Sequence, residues 1–294
     1  MAAGDRYLLL VNPSAGGGRR AGELLPRAER ALESRGLPFR RVFTESLEHG
    51  CRQAQAAAEA GETVLVMSGD GLIGQVGGAL AETGATMGLI PGGRGNDLAR
   101  VLGVPTEPEG AVAIAAAGHT RQIDVGVVNG RRFLGIASCG FDSDANRIAN
   151  EAKLVRGELV YAYAALRALI AWRPATFTMS FDGQVRRRTG YTFAASNNKA
   201  YGGGMFAAPD AELDDGLLDV GTSGNVGRLR FMRGIAKLFK GEHREVLDVE
   251  EFRTAEVTVD ADRPFVVYAD GDPIADLPAT ITLLPRALRV LAPA

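Results

Sequence analysis

Three times in its first hundred residues the chain runs from a short apolar stretch through a glycine-rich turn into helix-forming sequence. Tyr7-Leu-Leu-Leu-Val11 leads into Asn12-Pro-Ser-Ala-Gly-Gly-Gly18. Val64-Leu-Val-Met67 leads into Ser68-Gly-Asp-Gly71, and Met87–Ile90 into Pro91-Gly-Gly-Arg-Gly-Asn-Asp97. Strands that are apolar throughout, alternating with helices, predict a parallel sheet covered on both faces. In such a sheet the strand C-termini share one edge, so the three turns are expected to converge there. Helices are expected at Glu23–Ser34, His49–Ala60, Ile73–Glu82 and Asn96–Leu102, and a further strand at Phe39–Thr44.

After Arg121 the pattern becomes short strands with turns. Strands are expected at Gln122–Val128, Arg132–Ala137, Thr176–Phe181, Tyr191–Ser196, Leu217–Thr222, Glu256–Asp260, Phe265–Ala269 and Thr280–Leu284. Asn129-Gly130 and Asp182-Gly183 are hairpin turns by composition. The chain is thus expected to be an α/β protein: an N-terminal parallel-sheet nucleotide-binding domain over 1–121, then an antiparallel β-sandwich over 122–285. The last residues, about 286–294, are candidates to return to the first domain. Helices are expected at Asn150–Trp172, with Leu154, Leu159, Tyr163, Leu166 and Ile170 facing the core, and at Val226–Lys240.

Composition excludes several classes. At 294 residues and 46% hydrophobic, the chain is long enough for two cores, and a net charge of −2 gives no general attraction to nucleic acid. Two cysteines, Cys51 and Cys139, make no disulfide framework, so a reducing cytoplasm is expected. The helix at 226–240 sets Arg230, Arg233, Lys237 and Lys240 against Phe231, Met232, Ile235, Leu238 and Phe239. Such a helix either packs its apolar face or makes transient contact with an anionic inner-membrane face. Arg186–Arg188 is expected to be a solvated edge, and His49, His119 and His243 surface residues.

Glycines let backbone N–H groups approach an anion, and helix N-termini add a favourable dipole. The three turns therefore suit phosphate. A carboxylate beside phosphate is repulsive unless a cation such as Mg²⁺ lies between them. Asp70 and Asp97 fit that place; they fit equally well as caps of the helices that follow them, and spacing does not choose. A dinucleotide fingerprint, Gly16-x-Gly18-x-x-Ala21, is also present, but it leaves the later Asp-Gly clusters unexplained. There is no GxxxxGK[ST].

Taken together, Asn12-Pro-Ser-Ala-Gly16, Ser68-Gly-Asp-Gly71 and Gly88–Arg100 resemble the diacylglycerol kinase catalytic-domain family, which includes bacterial lipid kinases and the sphingosine and ceramide kinases. The resemblance continues through Ile123-Asp-Val-Gly126, Gly135–Asp142, Asn197, Gly202-Gly-Gly204, Pro209-Asp-Ala211, Asp214–Val220 and Asp270-Gly-Asp272. It implies ATP as donor, Mg²⁺ as cofactor, a lipid alcohol as acceptor in a cleft between the domains, and a homodimer.

Carried over by position, the nucleotide would be touched by Asn12, Ser14, Thr44, Ser68, Gly69, Asp70, Gly71, Leu72, Gly74, Gly93, Arg94 and Asn96. Asp70, Asp97 and Asp124 would surround the catalytic Mg²⁺. Asp215, with the carbonyls near Glu212 and Leu217, would hold a second, structural ion. Asp272 falls at the general base, where the family usually keeps glutamate, with Asp270 supporting it. The family's Gly-Gly-Asp-Gly-Thr-x-Asn-Glu is here Ser68-Gly-Asp-Gly-Leu-Ile-Gly-Gln75, and Arg94 replaces a threonine. Two alternatives therefore stand beside an active lipid kinase: a decayed nucleotide- or lipid-binding relative, and an enzyme like NAD kinase.

Overall fold

A computed structural model describes residues 6–141, 143, 144 and 172–294. The expected helix at Asn150–Trp172 lies outside the described residues except for Trp172, which is buried.

The N-terminal part runs β1 (Tyr7–Val11), α1 (Arg19–Ser34), β2 (Phe39–Phe43), α2 (Leu47–Glu59), β3 (Thr63–Ser68), α3 (Asp70–Leu80), β4 (Thr86–Pro91), α4 (Asp97–Val101) and α5 (Pro108–Ala117). Strands β2, β1, β3 and β4 pair in that order, all parallel. Every residue of β1 is buried, because both faces of the sheet are covered by helices. The edge strand β2 is instead guarded by ion pairs from Arg40 to Glu62 and Arg41 to Glu29. Helix α5 was not expected from the sequence; its alanine-rich run has no clear apolar stripe.

The rest runs β5 (Thr120–Val128), β6 (Arg131–Phe133), β7 (Ile136–Gly140), β8 (Ala175–Phe181), β9 (Gln184–Gly190), β10 (Thr192–Ser196), β11 (Ala200–Tyr201), β12 (Met205–Phe206), β13 (Leu218–Thr222), α6 (Arg228–Leu238), α7 (Arg244–Leu247), β14 (Glu250–Thr254), β15 (Glu256–Ala261), β16 (Val266–Ala269), β17 (Asp272–Asp276) and β18 (Ala279–Leu291). One antiparallel sheet has the order β14-β13-β10-β7-β16-β17. The other is continuous with the N-terminal sheet, in the order β2-β1-β3-β4-β18-β15-β8-β9, with β5 and β6 attached through β18.

The hinge of this arrangement is β18. Its last residues, Arg289 and Val290, pair parallel with Thr86 and Met87 of β4. Its first half pairs with β15, and β5 runs antiparallel to it from Val128 to Thr120, with an irregularity between Leu284 and Leu288. The strand expected at Thr280–Leu284 and most of the last residues expected to return to the first domain are thus one strand.

Two hydrophobic cores result. Ile123, Val125, Leu288 and Val290 belong to the first, while Val128, Ala279 and Ile281 belong to the second. The core changes partway along β5 and β18, so the division placed at 121/122 falls inside β5. Both expected hairpin turns are present: Asn129-Gly130 joins β5 to β6 and Asp182-Gly183 joins β8 to β9, each with positive φ at both residues.

Candidate active site

The three glycine-rich turns meet at the C-terminal ends of β1, β3 and β4, as adjacency in a parallel sheet requires. Asn12 stitches the first to the second: its Nδ2 donates to Ser68 Oγ at 3.2 Å and its Oδ1 accepts from Ser14 N at 2.9 Å. Thr44, at the end of β2, donates its amide to Val11 O at 2.8 Å. The second and third turns touch backbone to backbone. A Cβ on Gly93 would lie 2.5 Å from Gly69 Cα, so no larger residue fits. Asn96, in the left-handed region, closes the third turn by accepting from Gly93 N at 2.9 Å and donating to Gly93 O at 3.0 Å. That closure leaves Arg94 exposed at the tip of the turn.

The acids are held by amides. Asp70, on the first turn of α3, accepts from Asn96 N at 2.8 Å and Asp97 N at 2.7 Å, capping α4 rather than its own helix. Asp97 in turn accepts from Gly203 N at 2.9 Å and Gly204 N at 2.8 Å, on the β11–β12 turn. Burial and then the nearby charge of Asp97 push the Asp70 carboxyl above its ordinary range, against the opposing pull of the amides. Gly95 lies between them: a Cβ there would be 2.6 Å from Asp70 Oδ2 and 3.3 Å from Asp97 Oδ2.

Asp124 is fully buried and engaged elsewhere, accepting from Gly216 N and Arg286 N at 2.7 Å each. The structure therefore pairs Asp70 with Asp97 and puts the carboxylate of Asp124 on a different set of amides. Among the described residues no group of three metal-ligating side chains gathers in one place.

The Asp270-Gly271 turn between β16 and β17 faces this region from the other part of the protein. Asp270 accepts from Leu134 N and Gly135 N at 2.8 Å each. Enclosure of its carboxyl raises the pKa to about 6, with the charge of Asp70 adding to the rise and the amides opposing it. A Cβ on Gly74 would come within 3.0 Å of Asp270 Oδ2, so α3 and the turn are in direct contact. Asp272 lines a cleft of about 300 Å³ with Gly71, Gly74 and Gln75 of α3 on one wall and Phe133, Asp270, Pro273 and Ile274 on the other. An N-terminal phosphate-type turn and a C-terminal carboxylate pair thus share one cavity.

Residues 6–128 match the diacylglycerol kinase catalytic domain, and residues 135–292 match the YegS C-terminal NAD kinase beta sandwich-like domain. A diacylglycerol kinase of Mycobacterium tuberculosis is 37% identical over 294 residues, covering 97% of this chain and 94% of that one. The chain belongs to the diacylglycerol kinase family of lipid kinases.

It is accordingly a phosphotransferase with an alcohol group as acceptor. A diacylglycerol kinase of Bacillus subtilis is 28% identical over 243 residues, covering 81% of this chain and 80% of that one. The fold is shared with the crystal structure of a diacylglycerol kinase from Bacillus anthracis (TM-score 0.77, 21% identity, 100% of this chain and 98% of that chain).

Within that family the departures of this chain have structural counterparts. Leu72, where the family has threonine, is 3% exposed. Its Cδ1 occupies the place a Cβ on Gly50 would take, beside the Thr44 methyl. Its side chain packs into the first core.

The Asp215 turn, to which the resemblance gave a second ion, carries its own side-chain contacts. Asp215 holds the amide of Leu217 at 3.0 Å and pairs with Arg253, and Glu212 is exposed near Lys199 and Arg121. The Asp215 carboxylate is thus met by a guanidinium. The neighbouring Asp214 is bidentate with Arg121, which lowers its pKa.

Sequence inspection missed the amides that hold these acids, because backbone donors carry no residue signature. It also left Asn197 without a role. Fully buried, Asn197 donates from Nδ2 to Asp124 O at 3.0 Å and Leu134 O at 2.9 Å, tying together the two segments beneath Asp270. His243, expected at the surface, is 3% exposed, and its pKa is lowered by burial and by Arg244.

Proposed function

We propose that this lipid kinase transfers the γ-phosphoryl group of ATP to the hydroxyl of a membrane lipid alcohol, diacylglycerol or a sphingoid base, with Asp272 as general base. The observation that carries this is the shared cleft, which Asp272 lines together with Gly71 of the phosphate-type turn and Gly74 of α3. Phosphoryl transfer needs mainly positioning and charge neutralisation. The amides of the three turns and the exposed Arg94 suit the phosphates; Asp272 takes the hydroxyl proton as the new oxygen–phosphorus bond forms and ADP leaves. Proton removal by a placed base contributes roughly 10²- to 10⁴-fold in rate. Asp270, fixed by the amides of Leu134 and Gly135, holds the turn in register with α3. Apolar lining from Phe133, Pro273 and Ile274 suits a lipid acceptor.

The donor set also fits Mg²⁺. Asp70 and Asp97 present hard oxygen ligands, each with a lone pair beyond those engaged by amides. Burial and then the charge of Asp97 raise the Asp70 pKa, and a cation held between the two acids would oppose that rise. When bound there, Mg²⁺ supplies charge neutralisation for the triphosphate. We further place the enzyme in the cytoplasm as a homodimer, which sedimentation equilibrium tests directly.

Transfer of label from γ-labelled ATP to a panel of lipid alcohols tests the function, with Asp272→Asn as control. The expected result is lipid-dependent transfer that the variant loses while its Mg-ATP affinity stays intact. Unchanged turnover in the variant removes Asp272 from the role. Nucleotide binding without transfer to any acceptor favours the decayed site that Leu72, Gly74 and Gln75 bring to mind.

A further inference from the structure

Helix α6 carries two apolar stripes. One packs inward: Phe231 and Gly234 are buried, and the Phe231 ring stacks on Tyr191 with centroids 3.8 Å apart and meets Phe141 edge-on at 4.9 Å. The other faces outward. Leu229 is 83% exposed, Phe239 54% and Met232 41%. At offsets of three, seven and ten residues, Leu229, Met232, Ala236 and Phe239 lie along one side of the helix. The apolar residues counted from sequence as one face are thus divided between the interior and solvent.

The outward stripe is flanked by positive charge with no acid on the segment from 226 to 241. Arg233 and Lys240 are exposed, and neither has an ion-pair partner among the described residues. Arg230 donates to the carbonyls of Glu245 and Val246, and Lys237 lies 3.5 Å from Glu242. An exposed row of large apolar side chains bordered by unpaired cations is disfavoured in water unless it meets an apolar surface with an anionic rim.

We propose that α6 docks the protein on an anionic lipid surface, with Leu229, Met232 and Phe239 entering the headgroup boundary and Arg233 and Lys240 meeting acidic headgroups. The inference rests on the proposal that the acceptor alcohol sits in a membrane. Neither stripe lines the cleft, so docking and chemistry are separable.

Co-sedimentation of the full chain with vesicles of phosphatidylcholine, with and without phosphatidylglycerol, tests this. The wild type is expected to bind only the anionic vesicles and to be released by salt, as screening of surface charge requires. Arg233→Gln with Lys240→Gln is expected to lower partitioning about 25-fold, a factor of about five for each cation removed near the surface. Leu229→Ser with Phe239→Ser is expected to abolish it. Both pairs are expected to retain wild-type label transfer to diacylglycerol dispersed in detergent, where no docking is needed. Binding that ignores the anionic lipid, or that neither pair weakens, overturns the proposal. So does a wild-type dimer that Leu229→Ser with Phe239→Ser dissociates, which would assign the stripe to a second copy. Loss of label transfer in every form, with vesicle binding intact, counts against the kinase chemistry and leaves the docking surface standing.

Discussion

Asp97 Oδ2 and the amide of Gly203 are 2.9 Å apart, although 106 residues separate them in the chain. With the companion bond to Gly204, this contact fastens the glycine-rich turn before α4 to the β11–β12 turn of the other part of the protein. An acid marked in the sequence for metal or capping is therefore also a clamp across the molecule. Asp70, one step behind it, holds the turn from which Asp97 projects.

Asp97→Ala leaves the amides of Gly203 and Gly204 without their acceptor. Each unpaired donor costs about 1–3 kcal/mol where water does not replace the lost partner. Hydrogen exchange is expected to show faster exchange at Gly203 and Gly204 while β1 and β3 stay protected. Unchanged protection at those two amides would mean that the clamp contributes nothing in solution.

Gly95→Ala inserts a methyl where Asp70 Oδ2 would be 2.6 Å away and the amide of Gly203 3.3 Å away. The turn must shift, at a cost of about 1–3 kcal/mol for forcing a methyl into a packed site. Titration calorimetry is expected to show ATP affinity reduced by about tenfold or more. Wild-type affinity would show that the turn moves aside without consequence for the nucleotide.

The Asp270 carboxyl has a pKa raised to about 6, whereas in the unfolded chain it titrates near 3.9. The native state binds the proton more tightly, so this group's stabilisation is full below about pH 4 and is lost as the pH rises through 6. A two-unit shift corresponds to about 3 kcal/mol. Comparing urea unfolding of wild type and Asp270→Asn at pH 4 and pH 7, the wild type is expected to lose that much relative to the variant. A difference that does not change with pH would mean an ordinary carboxyl.

The pairing of Asp215 with Arg253 leads to a prediction about metal removal. With nucleotide absent, EDTA is expected to leave the melting temperature unchanged. Asp215→Asn is expected to cost no more than about 1 kcal/mol, the value of an exposed ion pair. A fall of several degrees on chelation would restore an ion to this turn.

Much of the architecture is legible from local pattern alone. Fully apolar strands such as Tyr7–Val11 and Val64–Met67 announce a sheet buried on both faces, and Asn129-Gly130 and Asp182-Gly183 mark hairpins through the backbone conformations they allow. The three glycine-rich turns and Asp270-Gly-Asp272 are legible as a family signature in a single reading of the chain. What tertiary structure alone decided is which atoms these residues meet. Amides have no sequence signature, so nothing local revealed that Asp70 would cap α4, that Asp124 would turn to Gly216 and Arg286, or that Arg253 would neutralise Asp215. Helical periodicity likewise identified apolar residues of α6 but could not divide them between Phe231 inside and Met232 and Phe239 outside. That division depends on neighbours distant in sequence, and packing against them is what settles where each side chain lies.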